Sequence, residues 1–254
     1  MTAPPIRFVI FAAPRTGSNL LCSLLGAHPD ILCHHGLFNP AGVHAARAWP
    51  RGPLGDAAER DRDPLAFLER VWSTAGGARA VGFKMNLGEN DAASTALLRD
   101  ASVRKLLLRR RNRVRTFVSE EIAARTGVWE SYDPPIQAGL PVIRVAIGDL
   151  MRHADRNAAY YAGLESTLIA TGQDWLEIDY ESLSDPAELR RVLAWLGVGS
   201  RAPLAPASSK RAPDDLGVVV ANFEELAAAL ADTPFAAELF ERDLPNLRSP
   251  LLLS

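Results

Sequence analysis

The sequence has few cysteines and no long hydrophobic run. Only Cys22 and Cys33 occur among its 254 residues, too few for a disulfide scaffold, so we expect reduced thiols and a cytoplasmic protein. The opening "MTAPPIRFVIFAAP" contains an apolar run of about six residues, which is too short for a signal-peptide core or a membrane span. Internal repeats, low-complexity tracts and an evident linker are also missing, which predicts a single domain over residues 1–254.

The sequence also lacks a large excess of charge of either sign. The formal net charge is −2, with 48% apolar and 23% charged residues, an ordinary composition for a globular protein. This balance argues against a nucleic-acid partner, and any basic site must be local. The sequence does not indicate an oligomeric state.

What the sequence does contain is an alternation of strand-like and helix-like segments. Short β-rich apolar runs are separated by segments with helical spacing of leucine and valine. This pattern predicts a three-layer α/β fold, P-loop-like, with a mainly parallel central sheet flanked by helices. The predicted strands are residues 6–11, 80–85, 103–108 and 175–180, while residues 142–147 are either a short strand or the lead-in to a helix.

Polar residues mark several boundaries. Asn112 is predicted to cap the helix after the third strand, and Asn222 with Glu225 forms a predicted capping box for the last helix. Residues 39–62, rich in Gly, Pro, Arg and Asp, are predicted to be irregular. We expect irregular substrate-side excursions near residues 39–75 and 127–140.

The stretch "FAAPRTGSNLL" (residues 11–21) lies between a predicted strand and a predicted helix. In this setting the amides from Thr16 to Asn19, the Thr16 and Ser18 hydroxyls and the Arg15 guanidinium form a potential anion site. The alternative is a simple turn in which Ser and Thr only cap the helix. The stretch is not a nucleotide-kinase loop, because it lacks G-x-x-x-x-G-K-[ST].

A second basic segment is "VRKLLLRRRNRVRTFVS" (residues 103–119), with seven basic residues between Arg104 and Arg115. A solvated basic face or a nucleic-acid patch is one interpretation. The three leucines favour a buried strand instead, which places Arg109, Arg110 and Arg111 at its carboxyl end. Since ligands bind at that end of a parallel sheet, we expect a second anionic group there.

These motifs resemble those of the sulfotransferases that use 3′-phosphoadenosine 5′-phosphosulfate, in particular the bacterial type. "PRTGSNLL" is similar to the family's 5′-phosphosulfate loop, which implies that Arg15, Thr16, Gly17, Ser18 and Asn19 hold this group. In the family an Arg and a Ser eight residues later hold the 3′-phosphate, and Arg111 and Ser119 have this spacing.

The resemblance extends along most of the chain. "AHPDILCHHGLFNP" (27–40) is similar to the family segment after the first helix, and "GFKMN" resembles its second strand, which implies a catalytic role for Lys84. "LEIDYESL" (176–183) resembles a late strand. "SSKRAP" (208–213) resembles a basic loop that closes over the nucleotide, so Lys210 and Arg211 are implied donor-binding residues.

The general base departs from the family pattern. Cytosolic relatives place a His two residues after the strand Lys, where this chain has Asn86. Many bacterial relatives have a Glu where this chain has Gly36. Histidine titrates near neutrality, so His34 and His35 are the candidate bases, with His35 preferred.

The resemblance implies transfer of a sulfuryl group from 3′-phosphoadenosine 5′-phosphosulfate to a hydroxyl, or secondarily an amine, of a small-molecule acceptor such as a lipid or a sugar. Arg15 and Lys84 would stabilise the developing charge, and no metal is expected. Two alternatives remain open: a small-molecule kinase using ATP and magnesium, and a non-catalytic nucleotide-binding protein of the same fold.

Overall fold

Five parallel strands form the central sheet of the computed structural model. The structure describes residues 4–47, 49, 54–129, 139–200, 203–205, 213–244, 247, 250 and 251. The strands are β1 (Ile6–Ala12), β2 (Ile31–Gly36), β3 (Ala80–Asn86), β4 (Val103–Arg109) and β5 (Trp175–Asp179). Their order in the sheet is β2–β3–β1–β4–β5, so β1 is central.

Helices connect the strands and cover both faces of the sheet. The α-helices in the described part of the chain are α1 (Ser18–Gly26), α2 (Ala57–Arg62), α3 (Pro64–Ser73), α4 (Asp91–Arg99), α5 (Arg113–Thr126), α6 (Ile147–Ala170), α7 (Pro186–Trp195) and α8 (Phe223–Leu230). None of these is long and apolar enough to cross a membrane.

The alternation of side chains along β1 creates the three layers. Phe8 and Ile10 point to one face, where they pack in a core with residues of α1 and α7. Val9 and Phe11 point to the other face, into a core that includes residues of α3, α4 and α6. Because β1 is buried on both faces, its apolar run is continuous rather than alternating, as is usual for a parallel sheet. The predicted three-layer α/β fold is confirmed.

Two elements differ from the sequence-based expectation. β2 was not predicted, because "ILCHHG" has two adjacent histidines instead of an apolar run; it forms at the end of the strand order by pairing with β3. The prediction that residues 39–62 are irregular is wrong at its end. There α2 begins at an Asp56 N-cap whose side chain accepts from the Glu59 amide in a reciprocal capping box.

The two predicted asparagine caps have different outcomes. Asn112 Oδ1 accepts a hydrogen bond from the Arg115 amide at 2.8 Å, so its predicted role is confirmed. Asn222 precedes α8, but its side chain makes no capping bond. It instead pairs with the backbone of Val145, accepting from its amide and donating to its carbonyl, each at 2.9 Å. The predicted capping box at Asn222 is therefore wrong.

Candidate functional site

The loop after β1 lies at the centre of the carboxyl edge of the sheet. Ala12, the last residue of β1, is in register with Asn86 of β3 on one side and Leu108 of β4 on the other. The segments that follow β3 and β4 therefore flank this loop. This is the edge at which open α/β sheets bind ligands.

The β1–α1 loop has the backbone of an anion-binding turn. Arg15 and Gly17 both adopt positive φ, of 63° and 91°, and alternating conformations of this kind turn successive amides into one concavity. The Thr16 hydroxyl donates to the Ala13 carbonyl at 2.8 Å and closes the turn. The first turn of α1 contains no acidic residue, so the positive end of the helix dipole is not neutralised locally.

Tyr161 of α6 fixes the start of this loop. Its hydroxyl accepts a hydrogen bond from the Ala13 amide at 2.9 Å and donates to the Leu108 carbonyl at 2.5 Å. All of these groups are buried. A single side chain thus connects the ends of β1 and β4 where the two strands diverge, and sequence periodicity contains no sign of this role.

We expect Tyr161→Phe to lower the free energy of unfolding by about 1–3 kcal/mol, because a buried amide and a buried carbonyl both lose their partner. Denaturant unfolding with a fitted midpoint measures this change. An unchanged midpoint would show that the two backbone groups find other partners and that Tyr161 does not fix the loop.

Arg15 joins the loop to α5. Its Nε donates to Ser119 Oγ at 3.0 Å, and Nη1 donates to the carbonyl oxygen of Trp129. Ser119 is 7% exposed. The residues predicted for the 5′-phosphosulfate and for the 3′-phosphate therefore touch. This is compatible with one nucleotide, whose two phosphate groups are attached to the same ribose.

The three arginines at the end of β4 have different surroundings. Arg109 forms ion pairs with Glu165 and Glu177 at 2.5 and 3.0 Å. Arg110 pairs with Asp243 at 2.8 Å, and both side chains are almost fully buried. It also stacks over Tyr180, 4.5 Å from the ring centre. Both arginines thus have structural partners.

Arg111 is the exposed member of this group, with 66% of its side chain accessible. Its Nε lies 3.7 Å from Asp179 and 3.6 Å from Glu181. The Glu181 carboxylate also accepts from the Arg111 amide at 3.0 Å. The backbone of Arg111 is held, while its guanidinium faces solvent at the carboxyl edge of the sheet.

β3 brings Lys84 and Asn86 to the other side of the loop. Lys84 is in register with Ile10 of β1 and Gly36 of β2, and it is 5% exposed. The Ser18 hydroxyl, at the start of α1, lies 3.5 Å from Asn86 Oδ1. This contact joins the loop to the end of β3.

Glu89 lies beside Asn86 and was not predicted as a site residue. Its carboxylate accepts from the Asn86 amide at 2.9 Å and from Asn86 Nδ2 at 2.8 Å. Burial raises the pKa of the Glu89 carboxyl, while the bonds from Asn86 and the charge of Lys84 oppose this shift. An acidic residue four positions after a predicted strand was the available sequence signal.

The two candidate bases lie on β2. His34 is fully buried; its Nδ1 accepts from the Ala46 amide at 3.0 Å, and its ring meets Trp49 edge-on. Burial, followed by the charge of His35, lowers the pKa of His34 to about 4, so this ring is neutral near pH 7. His35 is 7% exposed, and its amide donates to the His44 carbonyl at 3.1 Å.

Arg60 of α2 holds the segment after β2. Its side chain is 1% exposed, and Nη1 donates to the carbonyls of Leu37, Asn39 and Gly42 at 2.9, 2.8 and 3.2 Å. This residue lies in the part of the chain predicted to be irregular. These carbonyls belong to a segment about twenty residues away in sequence, so this role of Arg60 had no sequence signal.

Some predicted site residues lie outside the described part of the chain. These are Lys210 and Arg211, together with most of the excursion at residues 127–140. Asn19, the last predicted residue of the loop, is described, and its Oδ1 is buried without a hydrogen-bond partner among the described residues.

Comparison with known proteins finds similarity over nearly the whole chain. Nodulation protein H of Rhizobium tropici is 27% identical over 243 residues, which are 94% of each chain. Nodulation protein H of Rhizobium meliloti (strain 1021) is 26% identical over 246 residues, 92% of this chain and 95% of the relative. No family model matches the chain.

A solved structure shares the fold. A sulfotransferase from Alicyclobacillus acidocaldarius superimposes with a TM-score of 0.50 at 22% identity, over 96% of this chain and 98% of the other. The chain therefore has the fold of a bacterial sulfotransferase and is similar in sequence to nodulation protein H, which confirms the predicted resemblance to the sulfotransferases.

Proposed function

We propose that the protein transfers a sulfuryl group from 3′-phosphoadenosine 5′-phosphosulfate to a hydroxyl group of a small-molecule acceptor, such as a lipid or a sugar, with an amine as the secondary acceptor. The observation that carries the proposal is the arrangement at the carboxyl edge of the sheet. The anion-binding turn after β1 lies between Lys84 of β3 and the Arg111–Ser119 segment that follows β4. The sulfotransferase fold and the relatives support the reaction class.

In this proposal the loop binds the 5′-phosphosulfate. The amides from Thr16 to Asn19 and the Ser18 hydroxyl lie at the N-terminus of α1, where a helix favours an anion, while the Thr16 hydroxyl holds the turn closed. Arg15, already in contact with Ser119, adds a fixed guanidinium. Arg111 and Ser119 bind the 3′-phosphate and so distinguish this donor from ATP, while Lys210 and Arg211 are proposed to bind the same nucleotide.

The chemical step requires stabilisation of the negative charge that develops on the leaving group. As the bond from sulfur to the bridging oxygen breaks, negative charge builds on that oxygen and on the sulfuryl oxygens. Lys84 and Arg15 supply positive charge from opposite sides of the loop. Because charges already held in position need not rearrange during the reaction, they lower its activation barrier. The ATP-dependent kinase and the non-catalytic binding protein are the alternatives that experiment must exclude.

The test of donor identity is calorimetric titration with 3′-phosphoadenosine 5′-phosphate, with ATP and magnesium as the comparison. We expect Arg111→Ala to weaken binding of the product nucleotide by a factor of about 30, because a charge-assisted contact contributes about 2 kcal/mol. Ser119→Ala is expected to weaken it by a smaller factor.

Arg99→Ala is the matched control. Arg99 is an exposed arginine in the last turn of α4, at the opposite edge of the sheet. We expect the control to bind like the unmodified protein. Tighter binding of ATP with magnesium than of the 3′-phosphorylated nucleotide would favour the kinase alternative and overturn the proposed donor.

A further inference from the structure

Gly36 and Asn86 share one carboxylate neighbour. A Cβ added to Gly36 would lie 3.5 Å from Glu89 Oε1 and 3.5 Å from Lys84 Cε. The same carboxylate accepts two hydrogen bonds from Asn86. Gly36 on β2 and Asn86 on β3 are the two positions at which this chain lacks the base of the family pattern. Both therefore lie next to the Glu89 side chain.

Glu89 is also close to the phosphosulfate loop. Asn86 donates to Glu89 through Nδ2 and accepts a hydrogen bond from the Ser18 hydroxyl through Oδ1. The Asn86 side chain thus connects the carboxylate to a residue proposed to bind the reacting group. The segment that follows Gly36 is held in place, since Arg60 donates hydrogen bonds to the carbonyls of Leu37, Asn39 and Gly42.

The surroundings of Glu89 suit a proton acceptor. The side chain is partly buried, and burial raises the pKa of its carboxyl group. Lys84, Arg60 and Tyr160 are the ionisable groups that act on it from β3, α2 and α6. His34, by contrast, is fully buried, with Nδ1 engaged by a backbone amide and its ring against Trp49.

We propose that Glu89 is the general base of the reaction, a carboxylate supplied by the β3–α4 loop in place of a side chain at position 36. This inference rests on the proposed sulfuryl transfer and replaces His35 and His34 in that role. The acceptor oxygen forms its bond to sulfur while its proton moves to the Glu89 carboxylate. The bond from sulfur to the bridging oxygen breaks, and its electron pair stays on the 5′-phosphate of the leaving nucleotide.

The experiment measures release of 3′-phosphoadenosine 5′-phosphate from the donor, with water and then phenol, whose hydroxyl keeps its proton near neutral pH, as the acceptor. Because a positioned base contributes about 10² or more in rate, Glu89→Gln is expected to lower kcat about a hundredfold. The dissociation constant of the product nucleotide should change by less than about twofold, since the base contacts the acceptor side. Asp91→Asn, at an exposed carboxylate two residues away, is the control and should match the unmodified protein.

Moving the carboxylate from position 89 to position 36 distinguishes a catalytic role of Glu89 from a structural one. Gly36 does not have positive φ, and an added Cβ would lie 3.3 Å from Asn39 Cβ and 3.5 Å from Glu89 Oε1. A side chain at position 36 therefore requires a small shift of Asn39 and starts directly beside the Glu89 carboxylate. We expect the double variant G36E/E89Q to recover at least about tenfold in kcat over G36Q/E89Q, which differs from it only in the charge at position 36. A merely structural bond from Glu89 to Asn86 would not be restored by this change.

The outcomes are distinguishable. Full activity of E89Q, or equal activity of G36E/E89Q and G36Q/E89Q, would overturn the role of Glu89 and leave sulfuryl transfer standing. If the unmodified protein binds the product nucleotide but does not accelerate its release from the donor, the proposed function itself fails, and the inference about Glu89 fails with it.

Discussion

Replacing Lys84 by Met is expected to lower kcat by a factor of about 10² to 10³, because a positioned charge that acts on the transition state is removed. Lys84 is 5% exposed on β3 and lies between Ile10 of β1 and Gly36 of β2. Methionine keeps most of the length and apolar character of the side chain, so the strand should still pack. Release of the product nucleotide from the donor measures the effect.

The product nucleotide separates this effect from binding. It lacks the sulfuryl group, so its affinity should change by less than about tenfold if Lys84 acts mainly in the transition state. An equal loss in kcat/KM and in nucleotide affinity would instead show that Lys84 only helps to bind the nucleotide.

Lys105→Met is the matched control. Lys105 is as buried as Lys84, but its Nζ donates to the Asp100 carbonyl and to Gln173 Oε1, near the opposite edge of the sheet. Burial lowers the pKa of Lys105 to about 8. We expect this variant to lose about 1–3 kcal/mol of unfolding free energy, because the Asp100 carbonyl loses its donor, while kcat of the folded protein is unchanged.

Replacing Gly17 by Ala is expected to weaken binding of the product nucleotide about a hundredfold, because the turn must give up its conformation. Gly17 has a φ of 91°, which a side chain tolerates poorly. A Cβ at this position would lie 2.3 Å from Tyr180 Cδ2. The Tyr180 ring cannot simply withdraw, since the Arg110 guanidinium covers it 4.5 Å from its centre.

Calorimetric titration and thermal unfolding measure the consequences of Gly17→Ala. The control is Gly163→Ala, on the exposed side of α6, where an added Cβ meets no atom within 4 Å. This change should stabilise the protein by up to about 1 kcal/mol, since Ala favours a helix more than Gly. Unchanged nucleotide affinity in Gly17→Ala would mean that the turn is not the phosphosulfate site.

Local sequence was sufficient for most of the architecture. The apolar runs of β1, β3 and β4 are buried on both faces, so hydrophobicity alone identifies them. β2 could not be found in this way. Its histidines contact His44, Ala46 and Trp49, which lie about ten to fifteen positions further along the chain.

The turn after β1 was predicted from its local motif, whereas contacts that side chains make with distant segments were missed. The loop from Arg15 to Asn19 forms a turn before α1, with positive φ at Arg15 and Gly17. Arg60 and Tyr161 contact segments that the fold brings to them, and their sequence neighbourhoods contain no pattern that indicates these partners. Glu89 bonds to the nearby Asn86, but only the fold places it beside Gly36 and Lys84.

The sequence by itself determined β1, β3, β4 and β5, the position of the turn between β1 and α1, and the spacing of Arg111 and Ser119. These follow from periodicity and from residues that restrict their own backbone. Only the tertiary structure decided which hydrogen bonds are formed by residues of the same type in similar sequence positions. Asn112 caps a helix whereas Asn222 binds Val145, because a polar side chain takes whichever unpaired backbone group the fold brings within hydrogen-bonding distance.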